Sequence, residues 1–301
     1  MIKNIKDLKI LVVGDIMLDH YIYGDVTRIS PEAPVPVVNV THEDVVLGGC
    51  GNVVRNIRAL GPNVTCMCAI GADIPGVTIE NQLNKLGVSK IMFKEHNKVT
   101  TVKSRVVSNN RATQLLRMDT EKINKVNCGR LNLPDKYDII VVSDYAKGMI
   151  TEELMDRLRE LNTTIIADPK PKNIQFFKDI YMITPNKKEY DEMDHHVFKS
   201  IKYILKTLGE EGMELITSET KYKVDSTPIK LHNVVGAGDT VISVMSVCLA
   251  SGMKPHLASV VANECARYVV TQEGTSVIAK PVFDKVFKEY AIFDKASRKE
   301  K

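Results

Sequence analysis

The chain has 301 residues, of which 44% are apolar and 26% charged, the proportions of a folded globular protein and not of a disordered or fibrous one. Its 41 basic and 37 acidic side chains leave a net charge of +4; they are scattered, not gathered into a stripe, which argues against nucleic acid as a partner and stays compatible with a small anionic ligand. The apolar run at the amino terminus is too short for a signal peptide, and no segment approaches the roughly 18 unbroken apolar residues of a membrane span. The cytoplasm is therefore the expected compartment, and the sequons at Asn63 and Asn162 are expected to be accidental.

In chain order, strand-like and helix-like runs alternate: "KILVVG", "GNVVRNIRALG", "VTCMCAIG", "VTIENQLNKLG", "YDIIVVS", "TEELMDRLRELN", "TTIIAD", "YMITPN", "VFKSIKYILKTLG" and "MELITS". This order predicts an α/β fold with a mostly parallel central sheet and helices on both faces. Helical spacing recurs at Val53, Ile57 and Leu60, at Ile79, Leu83 and Leu86, and at Ile201, Leu205 and Leu208; the runs stop at Gly61, Gly87 and Gly209, each able to take a left-handed cap. Two segments break the pattern. Residues 20–41 and 99–118 read as short antiparallel strands, the second turning at "SNNR", and together they predict a small β lid. Pro31, Pro34 and Pro36 confine the first of them to an edge strand or extended loop. With no repeat and no linker, residues 1–301 are expected to form a single domain. The six cysteines include no CxxC pair and sit mostly in apolar runs, as reduced core thiols do.

Chemistry-bearing residues cluster at the ends of these runs. In "VVGAGDTVISV", Gly236 and Gly238 allow close backbone approach, and a helix predicted from Thr240 to Ala250 would offer its N-terminal amides and dipole to a phosphate. Asp239 at that helix start is either a helix-stabilising acid or a general base; by itself the stretch also fits a simple cap. "LGGCGN" at 47–52 is either a tight turn or a small-residue floor on which a polyhydroxylated ligand lies, with Asn52 as donor and acceptor. Asp15, Asp19, Asp144 and Asp168 fall near strand ends, where ligands of open α/β sheets bind, although each singly also fits a turn cap. Asn186 and Glu189, three apart after a strand, either order water around a magnesium ion or complement a helix dipole. His195 and His196 lack a third ligand at zinc spacing and read as solvated surface. There is no P-loop motif and no dinucleotide fingerprint.

Taken together, "GDIMLDHYIYGDVTRISPEAPVPVV", "GGCGNVVRNIRALG", "RATQLLRMDTE", "VVSDYAKGMIT", "ADPKP", "TPNKKE", "TLGEEGM", "VVGAGDTVI" and "ANECARYVVTQEGTS" resemble, in order, the ribokinase-like (PfkB) carbohydrate kinases. The run at 28–36 is similar in particular to those that act on D-glycero-β-D-manno-heptose 7-phosphate. The resemblance implies a three-layer α/β/α body with a β lid and phosphorylation of the anomeric hydroxyl by ATP with Mg²⁺. It implies Asp239 as base, with Gly236, Ala237 and Gly238 as anion hole. It also implies sugar contacts at Asp15, Asp19, Gly48, Gly49 and Asn52. On the nucleotide side it implies Asn186, Thr207, Gly209 and Asn263, with Glu189 organising magnesium through water and Lys170 reaching the phosphates. A monovalent cation near Gly274 and Thr275 is left open. Charge and lid position make Lys103, Arg105 and Arg117 the candidates for the sugar's own phosphate.

The sequence departs from the family pattern at Asn233, Val234 and Val235, where an Asp-x-Thr is usual, and at Cys50 and Gly51, where alanines are usual. Two alternatives stay open: a kinase for another sugar or sugar phosphate, and a degenerate protein that binds without turnover. The expected partners are a sugar phosphate and ATP, a second copy of the chain through the lid, and a separate adenylyltransferase acting next.

Overall fold

The structure, a computed structural model, describes residues 2–109, 113–128, 133, 136–226, 236–272 and 277–296. Its centre is β1 (Lys9–Gly14), whose side chains from Ile10 to Val13 are all buried. A strand wet on one face alternates; an unbroken apolar run is covered on both. The strands and helices that follow are β2 (Ile16–Ile29), β3 (Pro36–Gly49), α1 (Cys50–Leu60), β4 (Asn63–Gly71), α2 (Ile74–Lys85), β5 (Ser89–Glu95), β6 (Val99–Ser108), β7 (Thr113–Lys122), β8 (Ile139–Ser143), α3 (Glu152–Glu160), β9 (Ile165–Asp168), β10 (Met182–Ile183), α4 (Lys187–Glu192), β11 (Tyr203–Thr207), β12 (Met213–Ile216), β13 (Lys221–Val224), α5 (Ala237–Ala250), α6 (Pro255–Val270) and α7 (Lys280–Ala296).

Nine strands form one sheet in the order β13-β12-β11-β10-β9-β8-β1-β4-β5. It is parallel from β11 to β5, with β12 and β13 antiparallel at one edge. Ile10 and Val12 pack into a core shared with α1, α5, α6 and α7, while Leu11 and Val13 enter a second core with α3, as the two-residue period of a strand requires. Three layers result. Chain order reverses beside β1, since β4 and β5 extend to one side and β8 onward to the other; the carboxyl ends of β1 and β8 therefore flank the crevice in which such sheets bind ligands. Among the described residues no helix is long and apolar enough to cross a membrane.

A second sheet, ordered β3-β2-β6-β7, is built from the two segments that break the βα pattern. Its strands are longer than the sequence reading had them. β2 begins at Ile16 because Ile16, Met17 and Leu18 are buried, so Asp19 lies within a strand and not at its end. Two further expectations are corrected. The helical spacing of Ile201, Leu205 and Leu208 is misleading: Tyr203–Thr207 is β11, and its neighbours Ile204 and Leu205 are buried in opposite cores, which only a strand allows. The helix expected from Thr240 begins at Ala237, which brings Gly238 and Asp239 into its first turn.

Candidate active site

Nearly every side chain of α5 from Asp239 to Cys248 is buried, because the helix lies between α1, α6 and the sheet. Its N-terminus is what reaches solvent. Gly236 caps it in the left-handed conformation (φ 84°), which a β-carbon disfavours. The amides of the first turn have no intrahelical acceptor, and the helix dipole adds positive potential there. Gly236, Gly238 and Asp239 line a cavity of about 160 Å³ together with Tyr145, Asp168, Lys170, Thr184, Asn186, Glu189 and Thr207. All the strand residues in this set come from carboxyl ends. A larger hollow, about 540 Å³, opens at the opposite end of the sheet beside Arg159 and Lys202, but Arg159 already donates to the carbonyls of Phe176 and Lys178.

Asp239 is almost fully buried and held from two sides. Asn52 Nδ2 donates to Oδ2 at 2.8 Å and the Tyr145 hydroxyl donates to Oδ1 at 2.9 Å. Burial raises its pKa to about 6 against the lowering effect of these two donors and of Lys170, so at neutral pH it is a carboxylate able to take a proton. The Asn52 bond joins α1, which carries the small-residue floor, to α5, which carries the amides.

The strand-end carboxylates separate into different tasks. Asp15 accepts the backbone amides of Tyr145, Lys147 and Met149 at 2.9, 2.9 and 3.0 Å and so fixes the loop after β8. Asp144 is likewise occupied by Ala146 N, Lys170 N and Asn173 Nδ2. Asp168 does line the cavity. Burial and the neighbouring Glu189, Asp239 and Asp144 push its pKa to about 8, against Lys170.

Toward the second sheet, Asp19 receives Arg105 Nη1 at 2.5 Å in a largely buried ion pair. A β-carbon on Gly48 would strike this carboxylate, and one on Gly49, itself left-handed at φ 57°, would strike the Asp15 carbonyl. Sheet register puts Lys103, Arg105 and Arg117 on one face: Lys103 opposes Asp19 and Asp119, and Arg105 opposes Tyr21 and Arg117. The three cations are not equivalent. Arg105 is paired with Asp19, and Arg117 donates two bonds to Asp119 at 2.8 and 2.6 Å. Lys103 has no ion-pair partner among the described residues; its ammonium sits 5.1 Å from the centre of the Tyr145 ring, and burial lowers its pKa despite the nearby Asp19.

On the other side of the cavity, Asn186 and Glu189 form a capping box at the start of α4, with Glu189 N donating to Asn186 Oδ1 at 2.9 Å and Asn186 N to Glu189 Oε2 at 3.1 Å. Glu189 also bonds Lys170 through Oε1. Burial favours the neutral form of Lys170, but Asp168, Glu189 and Asp144 outweigh it and raise the pKa. Thr207 lines the cavity. Gly209 opens a short 3-10 turn outside its lining, and Asn263 is buried in α6 with Nδ2 donating to the carbonyl of Asp225 at 3.3 Å. Gly274, Thr275 and the divergent Asn233, Val234 and Val235 lie outside the described residues. Tyr145 was passed over in the sequence, although it stands inside the quoted "VVSDYAKGMIT"; the period of β8 predicted a buried strand and gave no hint that the next loop turns its tyrosine onto α5.

Residues 7–281 match the pfkB family of carbohydrate kinases. The chain is 34% identical over 299 residues to the bifunctional protein HldE of Bradyrhizobium sp. (strain ORS 278), covering 89% of this chain and 61% of that one. It is 35% identical over 296 residues to the same-named protein of Campylobacter fetus, covering 89% and 64%. It thus spans less than two thirds of the length of these relatives. Among solved structures, phosphofructokinase-2 from Escherichia coli in complex with potassium superposes with a TM-score of 0.75 at 18% identity, over 97% of this chain and 100% of that one. Arabidopsis thaliana ribokinase complexed with ribose and ATP gives 0.73 at 15% identity, over 94% and 99%. The latter pair establishes a ribokinase-like fold, and the match over residues 7–281 establishes the rest: the chain belongs to the pfkB family of carbohydrate kinases and is a phosphotransferase with an alcohol group as acceptor.

Proposed function

We propose that the protein transfers the γ-phosphoryl group of ATP to the anomeric hydroxyl of D-glycero-β-D-manno-heptose 7-phosphate, giving the 1,7-bisphosphate and ADP. The observation that carries the reaction is the placement of Asp239, bonded to Asn52 at 2.8 Å, beside the first-turn amides of α5, which have no intrahelical acceptor. Asp239 removes the hydroxyl proton as the sugar oxygen bonds to the γ-phosphorus and the bond from that phosphorus to the β,γ-bridging oxygen breaks; ADP leaves. The amides of Ala237 and Gly238 meet the charge on the transferring group, and Lys170 neutralises phosphate oxygens, so catalysis rests on alignment and electrostatics.

Family membership implies ATP, typically with Mg²⁺, and the donor set fits such a cation. Asp168 and Glu189 line one cavity, where burial first, and then the neighbouring carboxylates, raise the Asp168 pKa to about 8. Among the described residues no three side chains form a metal cage, so Glu189 would act through water, the remaining ligands being water and phosphate. When bound, Mg²⁺ would supply charge neutralisation across the phosphates.

The heptose assignment rests on the similarity of residues 28–36 to heptose 7-phosphate kinases and on a phosphate contact from the second sheet. Lys103 is the first contact, being the cation without a carboxylate; Arg105 holds Asp19, and Arg117 would have to leave Asp119. The second sheet is taken as the lid, and its exposed Val40, Leu116 and Met118 as the surface covered by a second copy of the chain. An adenylyltransferase is the expected consumer of the product, and ATP supply fits the cytoplasm. ADP release over a panel of sugar phosphates tests the reading, with Asp239→Asn as control. Turnover confined to a heptose 7-phosphate, lost in the variant, is expected; turnover with a different sugar phosphate alone would replace the substrate, and binding without turnover would replace the mechanism.

A further inference from the structure

Tyr145 stands where three parts of the site meet. Its hydroxyl donates to Asp239 Oδ1 at 2.9 Å. Its ring centre lies 5.1 Å from the Lys103 ammonium of β6 and 5.2 Å from the Lys170 ammonium beyond β9, within the range of cation–π attraction. The loop that carries it is held with unusual thoroughness. Asp15 accepts its amide and those of Lys147 and Met149, Asp144 accepts Ala146 N at 2.7 Å, and Lys98 donates to the Lys147 carbonyl at 3.1 Å. Ala146 adopts φ 57°, a left-handed conformation that a side chain resists and that persists only where surrounding contacts over-determine it. The loop so fixed places Tyr145 in the lining of the cavity. Its effect is to aim one hydroxyl at one carboxylate.

We propose that Tyr145 is the positioning residue of the transfer reaction: with Asn52 it fixes the Asp239 carboxylate in the orientation that receives the sugar proton and keeps that carboxylate ionised, while its ring seats Lys103 and Lys170 on the acceptor and donor sides. The inference rests on the reading of Asp239 as the base. Tyr145 gains and loses no proton in the step. Burial, with Asp239 and Asp168 nearby, holds its phenol pKa well above the ordinary value, so it remains a donor throughout, and the sugar proton ends on Asp239. The charged and titratable groups that face Asp239 are Asp19 of β2, the Cys50 thiol of α1, Asp168 and Lys170 at and after β9, and Tyr145 itself. Of these only Tyr145, with the neutral Asn52, bonds the carboxylate directly.

Tyr145→Phe keeps the ring and deletes the hydroxyl. The first readout is the pH titration of the Asp239 carboxyl carbon by NMR in the ligand-free protein, the resonance being identified by its absence in Asp239→Asn. Loss of one donor to the charged form is expected to raise the midpoint by about one pH unit. The acid limb of kcat/KM for D-glycero-β-D-manno-heptose 7-phosphate at saturating ATP and Mg²⁺ is expected to move upward with it, and kcat at pH 8.5 to fall about tenfold through loosened alignment. A hydroxyl that merely filled space would move neither midpoint nor limb. An unchanged midpoint in Tyr145→Phe overturns the proposal whatever the activity. If instead Asp239→Asn retains turnover, the reading of Asp239 as base has failed, and the titration still reports separately on whether Tyr145 governs its ionisation.

Discussion

Replacing Asp239 by Asn is expected to make the protein more stable while abolishing its activity. The carboxylate is buried and its pKa is raised from the ordinary 3.8 to about 6. A carboxyl raised on folding binds more protons in the native state than in the unfolded one between those two values, so stability falls as pH rises through the window and the loss is complete above about pH 7. The displacement corresponds to about 3 kcal/mol at pH 8, and only about 1 kcal/mol of it is present at pH 4.5. Asn carries no such penalty. Its amide can still accept from the Tyr145 hydroxyl, but its Nδ2 would face Asn52 Nδ2, and the flip of Asn52 that resolves this breaks the 3.4 Å contact from Arg55 Nη1, at a cost of about 1 kcal/mol. The net gain is therefore about 2 kcal/mol at pH 8 and near zero at pH 4.5, equivalent to a Tm rise of about 3 °C at the higher pH for a chain of this length. Loss of the general base costs about 10²–10⁴-fold in kcat. Thermal melts of both proteins at pH 4.5 and 8.0, with ADP release at pH 8.0, test this directly. A difference in Tm that does not grow with pH, or a variant less stable at pH 8, would refute the burial argument; a variant that still turns over would refute the assignment of the base.

Gly238→Ala separates folding from chemistry at the same helix. A β-carbon there meets nothing within 4 Å among the described residues, so circular dichroism melts should reveal an unchanged or slightly higher Tm, since Ala gains up to about 1 kcal/mol over Gly in a helix, while kcat falls at least about tenfold as the methyl intrudes on the transferring group. Lys103→Met should raise KM for the phosphorylated sugar about tenfold or more and leave KM for ATP unaltered; if Arg105→Ala and Arg117→Ala alone raise it, the phosphate contact belongs to them. Asp15→Asn replaces one of the two oxygens that between them accept three amides, Tyr145 N and Lys147 N on Oδ2 and Met149 N on Oδ1, and should lower stability by about 2–3 kcal/mol in urea titrations, where a residue that only contacted the sugar would change KM and leave the urea midpoint in place. Chelation with EDTA should abolish turnover, with recovery on adding Mg²⁺ and no effect on Tm, because no metal cage is formed among the described residues.

The order of strands and helices was legible because unbroken apolar runs such as "KILVVG" can only be buried on both faces, and glycines such as Gly61, at φ 114°, end helices where no other residue caps so easily. The failures have equally definite causes. The spacing of Ile201, Leu205 and Leu208 satisfied a helix and a fully buried strand alike, and sheet pairing between β10 and β12 decided for the strand. What the sequence alone determined about the site was its chemical stock: a glycine-flanked aspartate, a small-residue floor, acids after strands and cations on the second sheet. Types and spacing express those properties without reference to distant contacts. How the stock is divided was decided only by tertiary structure, because it depends on residues far apart in the chain. Asn52 and Asp239 meet across 187 positions and Asp15 and Met149 across 134. That meeting made Asp15 an anchor of the loop after β8, left Lys103 without an ion-pair partner among the described residues, and put the unregarded Tyr145 against Asp239.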